Sequence, residues 1–271
     1  MPFVKVRDIS IYYEIGGEGP RLLYISGTGG DLRRTPSIFD SALAEHFEIL
    51  AFDQRGMGQT DKPDIPYTMA DYAADTDGLM EAVGWERASV MGVSFGGMVA
   101  PELVMRYPNR VERIVLACTS SGGAGKPSYP LHELQGLSKL EHARRTMEIS
   151  DMRFDAAWQA ANPERLQSML EQRMAANLIG ANEPGHDIGA QRQIEARRNH
   201  DVYDRLPQIK NPVFVCGGRY DGIAPIVNQK ALAEQLPNAR MELFEGGHGF
   251  HREDPKAYER IIAFLQGKMN D

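Results

Sequence analysis

The stretch VMGVSFGGMVA, Val90 to Ala100, sets Ser94 between glycines, after an apolar run and before a helical pattern. A serine at a helix start is commonly an N-cap that accepts one backbone N–H. The pattern Gly92-Val93-Ser94-Phe95-Gly96 allows a second task. Where a strand turns abruptly into a helix, backbone packs on backbone, and Cβ atoms at the flanking positions would clash. The central residue then takes a strained conformation that lifts its Oγ above the sheet, beside a helix N-terminus, where it can act as a nucleophile. G-x-S-x-G recurs by chance; its place between a strand and a helix is what gives it weight here.

A serine hydroxyl is a poor nucleophile at neutral pH and needs a base, which needs an orienting acid. Two later stretches supply both in a suitable chain order. Arg219-Tyr220-Asp221-Gly222 follows the apolar run PVFVCGG, and Gly246-Gly247-His248-Gly249-Phe250 follows MELFE. Ser94, Asp221 and His248 each stand on a loop at the C-terminal end of a strand, the edge where open α/β sheets carry their chemistry. Of the seven histidines only His248 lies in a glycine-flanked loop after a strand. His251 is the competitor; the RED that follows it favours a surface or helix-start role. Alone, Asp221 reads as a turn residue before glycine and His248 as an idle loop histidine; the order of the three together points to a triad.

Attack on a carbonyl also needs two backbone N–H donors aimed at the developing oxyanion. One is expected from Phe95, the residue after the nucleophile. The other should come from the loop SGTGGD after the third strand, with Thr28 the first choice and Gly29 the second.

The rest of the chain must position these groups. Its 271 residues are enough for a single large α/β domain, and 42% hydrophobic with 25% charged residues is ordinary for a globular enzyme. A net charge of −7 without a basic run argues against nucleic acid. The N-terminal residues show no signal-peptide pattern, and no stretch has the apolar length to span a membrane, so a cytoplasmic location is expected. Cys118 and Cys216 end apolar runs and read as buried strand thiols, neither disulfide partners nor metal ligands.

Short alternating strands are expected at Phe3–Val6 and Ile9–Glu14, then strands at Arg21–Ile25, Glu48–Asp53, ASVMGV, Arg113–Cys118, PVFVCGG and ARMELFE. Between them the spacing predicts helices at about Pro36–His46, Met69–Val83, Gly96–Arg106, Pro225–Leu236 and Pro255–Leu265. Near-continuous apolar strands alternating with helices imply a mostly parallel sheet covered on both faces. After Cys118 the rhythm breaks, and only helical patterns occur to about Arg205, an excursion long enough to be a functional lid.

With these residues in view, the chain resembles the α/β-hydrolase superfamily over nearly its whole length. The resemblance rests on SGTGGD (Ser26–Asp31), DQRGMGQTDKP (Asp53–Pro63), GVSFGG (Gly92–Gly97), GGRYDGIAP (Gly217–Pro225) and EGGHGF (Glu245–Phe250). It implies the α/β-hydrolase fold: an eight-stranded, mostly parallel sheet with helices on both faces. Residues 1–118 and 207–271 would form the core, and 119–206 a helical cap inserted after the sixth strand. It further implies a cofactor-free and metal-free serine hydrolase for a small ester or lactone, similar to enol-lactonases, meta-cleavage hydrolases and small-molecule carboxylesterases. C–C bond cleavage by the same triad, or a non-catalytic receptor for a small ligand, are the alternatives. Where the superfamily usually has His-Gly, this chain has Ser26-Gly27, which bears on how the oxyanion loop is braced. The Asp53–Arg55–Gly56 segment is expected to pin loops.

For the substrate, Gly27 and Gly29 lie in the oxyanion loop. Arg33 and Arg34 follow it closely enough to meet a carboxylate, or else form a solvated helix start. Phe154 and Trp158, among the methionines of the cap, are expected either to line an apolar pocket or to hold the cap helices together.

Overall fold

A computed structural model describes residues 2–269. The chain runs through β1 (Phe3–Val6), β2 (Ile9–Gly16), β3 (Arg21–Ile25), β4 (Glu48–Phe52), α1 (Met69–Ala82), β5 (Ala88–Val93), α2 (Phe95–Arg106) and β6 (Val111–Ala117). It continues through α3 (Lys139–Ser150), α4 (Ala156–Ala161), α5 (Pro163–Ala176) and α6 (His186–Arg198). β7 (Val213–Gly218), α7 (Ile226–Gln235), β8 (Ala239–Phe244), α8 (Phe250–Glu253) and α9 (Pro255–Leu265) complete it. The strands form one eight-stranded sheet in the order β1-β2-β4-β3-β5-β6-β7-β8. β1–β2 and β2–β4 pair antiparallel and every other pairing is parallel. This is the α/β-hydrolase fold.

Period-2 alternation builds the two layers. Along β6, Ile114 and Leu116 join one core cluster while Val115 and Ala117 join the other; along β7, Val213 and Val215 oppose Phe214 and Cys216 in the same way. Tyr72 of α1, Phe95 and Met98 of α2 and Leu232 of α7 cover the first face. Ile261 and Phe264 of α9, with Ile38 and Leu43, cover the second. Continuous apolar strands are therefore what a sheet buried on both sides requires.

The predicted helix at Pro36–His46 is instead two short 3₁₀ turns, Ile38–Asp40 and Ala42–Glu45. Ser41 interrupts them: its backbone is extended, and its Oγ and N–H both turn back to Ile38 O. β2 runs two residues beyond Glu14, β6 begins two residues before Arg113, and α8 was not anticipated. β6 stops at Ala117 because Cys118 has a positive φ of 44°.

Between β6 and β7 the described elements are helical. A small cluster of their own, Ala143, Met147, Leu166 and Leu170, packs α3 against α5. The ends of the excursion are drawn together by a bridge between Gly122 and Asp201. Among the described residues no helix is long and apolar enough to cross a membrane.

Candidate active site

Ser94 sits in the β5–α2 turn with φ 54° and ψ −112°, a strained conformation for a non-glycine residue, and is only 7% exposed. Its neighbours explain the glycines. A Cβ on Gly92 would lie 2.4 Å from Gly96 O, and one on Gly96 would lie 2.0 Å from Ile25 O at the end of β3. Ser94 N–H donates to Ala117 O at 2.8 Å, and Thr119 Oγ donates to Ser94 O at 2.7 Å. Thr119 was not singled out from the sequence; it is placed there by β6 pairing with β5.

His248 Nε2 lies 2.9 Å from Ser94 Oγ, and His248 Nδ1 lies 2.8 Å from Asp221 Oδ2. A carboxylate only accepts, so in the neutral ring the proton sits on Nδ1 and Nε2 is free to accept from the serine hydroxyl. Asp221 is buried, and its other oxygen accepts from the Ile223 and Ala224 amides at 2.8 and 2.9 Å. The carboxylate is thus held at both ends.

The glycines beside Asp221 and His248 have a reason the sequence did not reveal. The last turn of α3 rests on both loops: Gly222 N donates to Ile149 O at 2.9 Å, and His248 N to Ser150 O at 2.6 Å. These loops therefore satisfy carbonyls that a helix end leaves unpaired. A Cβ on Gly222 would come 2.8 Å from Ile149 O, and one on Gly247 only 2.2 Å from Ser150 O.

The loop 26–30 lies against Ser94, since a Cβ on Gly27 would meet Ser94 Cβ at 3.3 Å and Oγ at 3.9 Å. Gln54 braces it by donating to Ser26 O at 2.8 Å and Ser26 Oγ at 3.2 Å. Gly29 N–H is already engaged, donating at 2.7 Å to Oε1 of fully buried Gln193 on α6. Thr28 keeps a buried Oγ without a hydrogen-bond partner. Gln193 escaped the sequence reading because 164 residues separate it from Gly29 and nothing local marks it.

Other expected residues have other work. Arg33 pairs with Asp31 at 2.6 Å and with Glu183, which lies beyond α5, so it ties the helical excursion to the loop after β3. Arg34 is half-buried with Nε unpartnered, and burial pulls its guanidinium below its usual range. Phe154 and Trp158 pack with their rings tilted by 53° at 4.6 Å, against the cluster formed by α3 and α5. Asp53 and Arg55 do pin loops. Asp53 accepts from Leu32 N and Gln59 N, while buried Arg55 pairs with Asp75 and Asp8. Burial pushes the Asp53 carboxyl up to about 6.

His251 lies at the start of α8, as a helix-start residue, but it is buried and not on the surface, packed edge-on against Phe250 and Tyr258. Burial lowers its imidazole to about 3. Cys118, read as an inert strand thiol, stands at the strand's end within 4.8 Å of the ligand atoms of Asp221 and His248. Burial holds that thiol well above its usual range, so it stays protonated. His248 and Asp221 are already committed to each other.

A family model described as alpha/beta hydrolase fold matches residues 20–255. The chain is 28% identical to a poly(3-hydroxyalkanoate) depolymerase from Ectopseudomonas oleovorans, over 90% of this chain and 84% of the relative. It is also 28% identical to a putative carbamate hydrolase, RutD, from Caulobacter sp. (strain K31), over 95% of this chain and 96% of the relative. Among solved structures, the enol-lactonase from Burkholderia xenovorans LB400 superposes with a TM-score of 0.78 at 22% identity, covering 98% of this chain and 100% of the other.

Proposed function

The chain belongs to the α/β-hydrolase family, and from that premise we propose that it is a serine hydrolase that cleaves a carboxylic ester or lactone of a small molecule. The observation that carries this reading is the continuous relay from Asp221 Oδ2 through His248 to Ser94 Oγ, with contacts of 2.8 and 2.9 Å. As Ser94 attacks the carbonyl, its proton passes to His248 Nε2, and Asp221 stabilises the imidazolium across Nδ1. The carbonyl oxygen becomes an oxyanion that the amides of Phe95 and Thr28 stabilise; the engagement of Gly29 N–H by Gln193 favours Thr28 over Gly29. The tetrahedral intermediate collapses as His248 returns the proton to the leaving oxygen. An acyl group is left on Ser94. Water then gives a proton to the same nitrogen as it attacks the acyl carbonyl. Collapse breaks the bond to Ser94 Oγ, which takes that proton back from His248 as the carboxylic acid is freed.

In this reading residues 119–206 act as a cap on the core at 1–118 and 207–271. The seating of α3 on the Asp221 and His248 loops supports it, as does the reach of Gln193 into the oxyanion loop. The protein is exposed to a serine-directed phosphonate and its mass measured, alongside turnover of a panel of p-nitrophenyl esters and lactones. One label at Ser94, absent from a folded Ser94→Ala variant that has lost turnover, is the expected result. A Ser94→Ala protein that keeps most of its activity, or a label at another residue, overturns the assignment.

A further inference from the structure

A cavity of about 320 Å³ lies between α2, the chain just beyond β6 and the end of α6, and neither Ser94 nor His248 lines it. Its polar wall holds two arginines, Arg197 and Arg198, beside the imidazoles of His132 and His200. Among the described residues no aspartate or glutamate lines it, in a chain whose net charge is −7. Arg197 is the unusual member. It is 7% exposed, and it donates to neutral acceptors, Tyr129 O at 3.1 Å and Ser128 Oγ at 2.7 Å. Its Nε has no partner, and the buried Ser120 Oγ and His200 Nδ1 in the same wall have none either.

A buried guanidinium normally meets a carboxylate, because desolvating a cation without a counter-charge is costly. That cost is visible here, since burial lowers Arg197 to about 10, with Asp221 only partly opposing it. Buried Arg55, by contrast, pairs with Asp8 and Asp75, and part-buried Arg205 with Glu102. The remaining wall is apolar, with Met98 and Ile194 among its residues.

We propose that this cavity binds a small organic carboxylate, its charge on Arg197 and Arg198 and its apolar body against Met98 and Ile194, at a site separate from Ser94. The missing counter-ion calls for an anion, the forked guanidinium suits a carboxylate, and the apolar wall favours one with a hydrocarbon body over a bare inorganic ion. The site does not depend on what Ser94 does.

The test is calorimetric titration of the full chain with benzoate, with its neutral isostere benzamide, and with inorganic phosphate. Benzoate should bind at least ~10-fold more tightly than either, the scale of one charge-assisted contact. Arg197→Met should weaken benzoate ~10-fold or more, and Arg198→Ala, at an exposed position that leaves folding intact, about threefold or more. Ser94→Ala should leave the affinity within twofold, which separates this site from the fate of the hydrolase reading. Benzoate that fails to bind, benzamide or phosphate that binds equally well, or an affinity indifferent to both arginine variants overturns the proposal. So does an affinity lost in Ser94→Ala.

Discussion

The two oxygens of Asp221 have separate tasks, and two substitutions can part them. Oδ1 accepts the Ile223 and Ala224 amides, while Oδ2 faces His248 Nδ1 at 2.8 Å. Asp221→Asn keeps the amide acceptor but puts an NH₂ where Oδ2 stood. His248 must then present a bare Nδ1, which moves the ring proton to Nε2, where it faces Ser94 Oγ and cannot take the hydroxyl proton. Wrong-tautomer substitution of a triad acid costs ~10⁴ in kcat, equivalent to about 5 kcal/mol of barrier. The fold should hold to within about 1 kcal/mol, because both backbone donors keep a partner. Asp221→Ala removes the acceptor as well, leaving two buried amides unpaired at roughly 1–3 kcal/mol each, or about 2–6 kcal/mol in all. Steady-state hydrolysis of a p-nitrophenyl ester and urea unfolding are measured on both proteins. A kcat for Asp221→Asn within tenfold of the unmodified protein would refute the orienting role. Equal stability of the two variants would refute the division between the oxygens.

Gly96→Ala should destabilise the protein by roughly 1–3 kcal/mol, because its Cβ would press to 2.0 Å of Ile25 O, even though helix propensity alone favours alanine there by about 1 kcal/mol. Gly84→Ala meets open space at φ 74° and should cost only the left-handed strain of about 1–2 kcal/mol; urea midpoints showing Gly96→Ala stabilising would exclude the close-approach account. Buried His200 and His251, lowered to about 4 and about 3 chiefly by burial, stay neutral in the fold while unfolded imidazoles take up protons near 6.5. Their contribution is complete above that value and is lost on acidification, each at about 1.4 kcal/mol per pH unit down to its folded value. Asp53, raised to about 6, runs the other way, since the folded carboxyl holds its proton and stability rises from pH 6 toward about 4. The net loss between pH 6 and 4 is therefore about one proton's worth from these three groups, and His251→Phe should remove it; unfolding free energies for the two proteins that run parallel from pH 7 to 5 would contradict this.

What the sequence determined by itself was whatever a short run of residues can state. Alternating apolar strands, the glycines of GVSFGG and the loops bearing Asp221 and His248 are local patterns. Each is set by steric rules acting over a few neighbouring residues, so the eight strands and the order Ser94, Asp221, His248 were legible in advance. Tertiary structure decided which distant groups meet. Gln193 takes the Gly29 amide across 164 residues, Arg33 turns to Glu183 across 150, and the end of α3 seats on the loops bearing Asp221 and His248. Spacing also cannot show that Ser41 will split a helix into two turns, that His251 is swallowed between aromatics, or that buried Arg197 hydrogen-bonds neutral acceptors, Tyr129 O and Ser128 Oγ. Such features depend on the free energy of burying and pairing groups contributed by separate elements. That energy has no counterpart in the chain until the elements pack.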